Sequence, residues 1–249
     1  HLFFLERMLG GMPETLDGAP GDFFRTWCQP IVREPGDVCR CLAGAPPAPT
    51  WSAYTRAIDK ICRSRRAGET RPVLAPAFSL LDCACNLCGA ERFFLWLYEA
   101  ETEAHCLLDG ITDLYLQIHR ELIRRGLNLV NYLGFPGVYG NDLQMTQLSP
   151  ALIARFLLPR YARIADECGG LTLALNCADR DIMTRVLAME NVIGCAFDRR
   201  LPLAAIRQQL GHKVFVLAHY AYDDALDRPT CRDGLWWNPI VNTYSREIA

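Results

Sequence analysis

The sequence lacks the features that mark membrane proteins and nucleic-acid-binding proteins. It contains no run of about 18 apolar residues, the length that a membrane helix needs. Its 26 Lys and Arg residues are balanced by 28 Asp and Glu residues, which leaves a net charge of -2. The short basic clusters around Arg65 and Arg124 are too small to follow a phosphate backbone. We therefore expect neither a membrane nor a nucleic acid as a partner.

Signals for secretion and for dinucleotide binding are also missing. The apolar segment 1–5 is short, is followed at once by Glu6 and Arg7, and has no basic region before it, so it does not predict a signal peptide. No glycine-rich motif follows a predicted strand, which argues against a Rossmann domain. The 12 cysteines are therefore interpreted as mostly small buried thiols in a cytoplasmic protein.

The chain changes character after residue 70. Residues 1–70 are predicted to be irregular and helical, with a proline-rich loop over 41–51 and a helix over 51–62. No strand is predicted before Pro72. Residues 71–249 are predicted to form the core of the fold, and both parts are expected to belong to one domain.

Apolar strands alternate with helices in the second part of the chain. Such alternation with short turns predicts a parallel sheet covered on both faces, which fits a barrel or an open doubly wound sheet. The last three strands should be adjacent and joined by right-handed crossovers. Strands are predicted over 72–78, 127–133, 171–176, 192–197 and 214–217.

Two long helical segments are predicted between these strands. A helical zone over 85–125 carries one apolar stripe, and Gly126 ends it. A second helix begins at Ser149 and Pro150, because Ser caps a helix well and Pro suits its first position. Pro159 should end or kink the first part of that helix. The apolar stripe consists of Leu107, Ile111, Leu114, Ile118 and Leu122.

Two stretches of the sequence resemble the uroporphyrinogen decarboxylase superfamily. The first is residues 141–150 with its Ser-Pro helix start, followed by the Phe-x-x-Pro of 156–159. The second is residues 89–99, which is similar to the Gly-x-Glu helix of that family. The resemblance implies a (β/α)8 barrel, complete, incomplete or lacking N-terminal strands, with its site at the C-terminal ends of the strands.

The resemblance favours the corrinoid-linked methyltransferases over the decarboxylases. The Arg-Gln-Ala-Gly-Arg loop of the decarboxylases is absent. The methyltransferases have His-x-Cys where this chain has Leu175, Asn176 and Cys177, and Cys231 resembles their second cysteine. The resemblance thus implies a zinc site at Cys177 and Cys231, with His219 as a third ligand by position. The alternative is that Cys177 is a buried small residue and that His219 is a hydrogen-bonded core residue.

Other candidates for the site lie at or near predicted strand ends. Asp142 and Asp198 are candidates for acid–base catalysis together with His219, although Asp142 could be structural and Asp198 could cap a turn. Candidates for binding the substrate are Phe78, Asn176 and Tyr222.

A separate cysteine cluster allows two interpretations. Cys83, Cys85 and Cys88, with Cys39 or Cys41, could provide four thiolates for a metal. The segment corresponds to a helix that needs no metal in the family, and at helical spacing Cys83 points away from the other two. We favour buried thiols.

The leading functional hypothesis is a methyltransferase-like enzyme. It would move a methyl group between a small methylated substrate and a corrinoid, supplied by a corrinoid protein, or a thiol. The alternatives are a tetrapyrrole-directed decarboxylase and a degenerate barrel that binds a corrinoid or a corrinoid protein without catalysis.

Overall fold

The computed structural model describes most of the chain, and that part forms two compact units of mixed α/β structure. The units comprise residues 1–130 and 131–249. In the described ranges, no helix combines the length and the apolar character that a membrane crossing requires. The structure describes residues 4–15, 26–65, 72–131, 136–175, 177, 179–197, 214–216 and 235–236.

The first unit is mainly helical. Its helices are α1 (Phe4–Met8), α2 (Asp37–Ala43), α3 (Ala48–Ser64), α4 (Leu80–Cys88), α5 (Ala90–Glu99) and α6 (Glu101–Arg124). Its strands form an antiparallel pair, β1 (Pro13–Thr15) with β2 (Thr26–Cys28), and a parallel pair, β3 (Val73–Leu74) with β4 (Leu129–Val130).

The long helical zone is confirmed as helical, but it consists of three helices. Gly89, with φ +87°, separates α4 from α5, and Ala100 separates α5 from α6. All five residues of the predicted apolar stripe are buried in α6. Gly126, with φ +72°, follows the end of this helix, as predicted.

The prediction of no strand before Pro72 is wrong. The strands β1 and β2 each have only three residues. A strand of this length is too short to show an alternation of apolar and polar residues, and hydrogen bonds to a distant partner define it instead. The predicted helix over 51–62 is confirmed within the longer α3.

The second unit contains a parallel sheet whose strands follow in chain order. They are β5 (Val138–Asn141), β6 (Leu171–Leu175), β7 (Val192–Phe197), β8 (Val214–Val216) and β9 (Leu235–Trp236), and every neighbouring pair is parallel. The prediction that the strands now labelled β6, β7 and β8 are adjacent and parallel is confirmed. Among the described residues no pairing closes this sheet into a barrel.

The helical segments of the second unit begin at identifiable caps. The Ser149 hydroxyl accepts a hydrogen bond from the Leu152 N–H at 3.4 Å, which confirms the predicted helix start. The first α-helical part ends at Leu152, earlier than the predicted position, and a π-helical turn separates it from the helix that contains Pro159. These segments are α7 (Pro150–Leu152), the π-helical turn (Ile153–Leu157), α8 (Leu158–Glu167) and α9 (Arg180–Ala188).

Candidate site at the carboxyl ends of the parallel strands

The register of the sheet brings the ends of three strands to the same edge. Asn141 at the end of β5 is paired with Ala174, and Leu175 at the end of β6 is paired with Phe197 at the end of β7. Asp142 follows β5 directly, and Cys177 lies two residues beyond β6. Both predicted site residues therefore follow neighbouring strands at the carboxyl edge, where parallel α/β folds place their ligands.

The Asp142 carboxylate is wholly buried and is held by a tyrosine. The Tyr161 hydroxyl donates a hydrogen bond of 2.5 Å to Oδ2 of Asp142. Tyr161 lies on α8, and both side chains have no exposed surface. The backbone carbonyl of Asp142 also accepts a bond from the Met145 N–H at 3.3 Å, which starts the 3-10 helix Leu143–Gln147. Asp142 thus fixes the strand end to two helical segments.

Sequence reasoning did not identify Tyr161 as part of this arrangement. The residue lies on the buried face of a strongly amphipathic helix, so the pattern indicates only a core aromatic residue. A buried tyrosine hydroxyl nevertheless needs a partner. The predicted carboxylate after β5 was the signal that could have identified the pair.

Cys177 is buried at the carboxyl edge, beside an apolar strand end. Its exposed fraction is 8%, and Leu175, at the position of the family histidine, is fully buried. A leucine side chain supplies no metal ligand. A zinc site here would need donors in addition to Cys177.

Comparison with known families identifies the family of this chain. The profile of the uroporphyrinogen decarboxylase (URO-D) family matches residues 29–218, well over half of the sequence. The chain belongs to the URO-D family. A search of characterised proteins by sequence found no significant match.

A solved structure shares the fold of this URO-D family member. It is a methyltransferase from Methanosarcina mazei, with a TM-score of 0.59 and 15% sequence identity. The match covers 86% of this chain and 60% of that chain. The present chain therefore spans less than two thirds of the length of the methyltransferase.

Most of the remaining predicted site residues of this URO-D protein lie outside the described residues. The predicted zinc site therefore stays a prediction, with Cys177 as its described donor. Within the described ranges, no group of three or more His, Cys, Asp or Glu residues could hold a metal ion. The predicted site residues that lie outside the described ranges are Asn176, Asp198, His219, Tyr222 and Cys231.

Phe78, predicted to bind the substrate, is buried in the first unit. Its ring packs against Tyr115 with centroids 4.9 Å apart, and its exposed fraction is 2%. The Tyr115 hydroxyl donates a bond of 2.7 Å to the Pro76 carbonyl, which holds the segment before α4 against α6. Substrate binding by Phe78 stays a prediction, and the visible role of the ring is packing.

The cysteines of α4 fit the buried-thiol interpretation. Cys83, Cys85 and Cys88 are all buried. Burial raises the pKa of Cys88 to about 12, so this thiol remains protonated at neutral pH.

Proposed function

We propose that this URO-D family member is a methyltransferase-like enzyme that moves a methyl group between a small substrate and a corrinoid or thiol. The proposal includes the closed (β/α)8 barrel that the family implies. The observation that carries it is the position of Cys177 at the carboxyl edge of the sheet, two residues beyond a buried strand. The structural likeness to a methyltransferase agrees with this choice within the family.

The proposed reaction is a displacement at the methyl carbon. An electron pair of the acceptor forms the new bond to carbon, while the bond from carbon to the donor atom breaks and leaves its pair on the donor. A donor that leaves as a heteroatom anion would take up a proton from solvent, a corrinoid donor would keep the electron pair on its cobalt, and an acceptor thiol would release its proton to solvent. The protein's task is to hold acceptor, methyl group and leaving atom in line and to exclude water.

The described residues would contribute to this task in different ways. Asp142 and Tyr161 are buried and bonded to each other, so they fix the strand end and position the residues around it. Cys177 would act as a donor to the metal, together with His219 and Cys231. Zinc, when bound, lowers the pKa of a thiol and so presents a thiolate as the nucleophile.

A matched pair of cysteine variants tests the proposal. Cys177 and Cys168 have the same exposed fraction of 8%, but Cys168 directly follows α8 and precedes β6, at the opposite end of that strand. Methyl transfer from a free methylated corrinoid to a small alkyl thiol can be followed by the absorbance of the corrinoid.

Cys177→Ala should lower the transfer rate by roughly 100-fold or more, because loss of a ligand costs at least as much as loss of an outer-shell partner. Cys168→Ala should keep the rate within about threefold, because it removes only a buried thiol. Equal rates for the two variants would refute the proposed role of Cys177.

A second candidate function is a non-catalytic barrel that binds a corrinoid. The observation in its favour is Leu175, a fully buried apolar residue where the methyltransferases have a histidine. Equilibrium dialysis with the free corrinoid would then show binding without turnover, and Cys177→Ala would leave binding unchanged. A tetrapyrrole decarboxylase has less support, because the arginine-rich loop is absent from the sequence.

A further inference from the structure

Helices α2 and α6 of the first unit pack closely at a glycine. A Cβ atom added at Gly110 would lie 2.3 Å from a methyl carbon of Leu42, so only glycine allows the observed approach. Leu42 lies on α2 and Gly110 lies in the middle of α6. The contact fixes which face of each helix meets the other.

Two cysteines lie on these facing surfaces, about one turn before the contact. Cys39 precedes Leu42 by three residues, and Cys106 precedes Gly110 by four, and residues at both spacings share a helix face. Burial raises the pKa of the Cys106 thiol, and the nearby Cys39 side chain raises it further. Cys39 is exposed and Cys106 is half-buried, so solvent reaches the pair from the Cys39 side.

We propose that Cys39 and Cys106 form a redox-active dithiol that a small disulfide, such as oxidised glutathione, converts into a reversible bond between α2 and α6. The site is independent of the carboxyl edge and of the proposed methyl transfer. It is a modification site in the first unit, where the proposed function places no catalytic residue.

The reaction consists of two exchange steps. The Cys39 thiolate attacks one sulfur of the small disulfide, whose S–S bond breaks and releases one thiolate, which takes up a proton. The Cys106 thiol then loses its proton, and its sulfur attacks the Cys39 sulfur and releases the second small thiol. The protein loses two electrons and two protons, and the small disulfide gains both.

The order of attack follows from exposure and charge. Burial, with Cys39 and Asp109 nearby, raises the pKa of Cys106, so Cys106 stays a thiol until the first bond has formed. The exposed Cys39 is the accessible group for the incoming disulfide. Cys39 therefore acts first, and Cys106 resolves the mixed disulfide.

Neighbouring cysteines provide matched controls. Cys41 also lies on α2, but its thiol donates to the Leu9 carbonyl at 3.6 Å. The other thiol near Cys41 is that of Cys88, and its full burial shields Cys88 from a small disulfide. The variants to compare are Cys39→Ser, Cys106→Ser and Cys41→Ser.

The experiment is oxidation of the folded protein with oxidised glutathione, followed by peptide mass spectrometry without reduction. The wild type and Cys41→Ser should yield a peptide linked through Cys39 and Cys106 and should lose two titratable thiols. Their melting temperature should rise by roughly 5 °C and return on reduction, because a cross-link restricts the unfolded chain.

The single variants separate the two steps. Cys39→Ser should neither cross-link nor accumulate glutathione at Cys106, whereas Cys106→Ser should retain one glutathione at Cys39. A wild type that keeps a mixed disulfide at Cys39 without the link would overturn the proposal. A link between Cys41 and Cys88, or equal cross-linking in Cys39→Ser, would overturn it as well.

Discussion

Tyr161 donates a hydrogen bond of 2.5 Å to the Asp142 carboxylate, and neither side chain has any exposed surface. The bond joins helix α8 to the residue that follows β5. Both groups are buried, so water does not compete for this hydrogen bond, and loss of the donor would leave a buried acceptor oxygen without it.

Removing this bond should destabilise the second unit. Tyr161→Phe should lower the free energy of unfolding by about 2 kcal/mol, since it removes the donor from a buried acceptor. Chemical denaturation measures the loss. Tyr98→Phe, at an exposed tyrosine of α5, is the control and should change stability by less than about 0.5 kcal/mol.

The double variant Tyr161→Phe with Asp142→Asn tests whether the two residues act as a pair. Its cost should be smaller than the sum of the single costs, with a coupling energy of about 1 kcal/mol or more. Additive single effects would show that the bond contributes nothing of its own.

Gly137 should not tolerate a side chain. Its φ is +88°, and an added Cβ would lie 2.2 Å from the Gly170 carbonyl oxygen. That oxygen accepts the Val138 N–H bond beside β5, so the backbone cannot move away without loss of pairing. Gly137→Ala should lower the free energy of unfolding by more than about 3 kcal/mol.

Gly126 provides the control for this prediction. Its φ is +72°, but nothing lies within 4 Å of an added Cβ. Gly126→Ala should cost only about 1 kcal/mol, from backbone strain. Similar losses in the two variants would mean that the close approach to Gly170 is unimportant.

His119 should make the protein less stable in acid. Burial in α6, with Arg120 nearby, lowers the pKa of His119 below its usual 6.5. In the unfolded chain the imidazole takes up a proton near pH 6.5, whereas in the folded chain it does so only at lower pH. The free energy of unfolding therefore falls as the pH drops below 6.5, down to the folded pKa.

Comparison with variants isolates the effect of His119. As the pH falls through this range, the free energy of unfolding should decrease more for the wild type than for His119→Gln. A flat difference for His119→Gln would contradict the pKa direction.

Metal content tests the zinc prediction apart from catalysis. Protein purified under reducing conditions should hold about one zinc per chain if Cys177, Cys231 and His219 converge. Cys177→Ala and Cys231→Ala should each lose the ion, and Cys168→Ala should retain it. If the wild-type protein binds no zinc even when the buffer contains free zinc, the proposed mechanism cannot involve zinc.

The parts of this fold that could be predicted from the sequence have local causes. Ser149 and Pro150 mark a helix start because a cap involves only neighbouring residues. The adjacent parallel strands β6 to β8 follow from alternating strands and helices joined by short connections. The motifs around Asp142 and Pro159 indicated the family that the profile match confirms.

The parts that could not be predicted depend on distant contacts. The short strands β1 and β2 are defined by their pairing with each other, although residues 16–25 separate them in the sequence. Tyr161 reaches Asp142 over a separation of 19 residues, and only the packing of α8 brings them together. The proximity of Cys39 to Cys106 likewise depends on the packing of α2 against α6 at Gly110.

The π-helical turn Ile153–Leu157 has a consequence for how the chain can change in length. A π-helical turn closes its hydrogen bonds over one residue more than an α-helical turn does. Deletion of one residue within the turn would therefore convert it to α-helix and leave both the Ser149 cap and the Tyr161 bond in place. Deletion of one residue between this turn and Tyr161 would instead rotate the tyrosine by about 100° around the helix, away from Asp142. In alignments of related sequences, single-residue deletions should therefore be more frequent in this turn than between the turn and Tyr161.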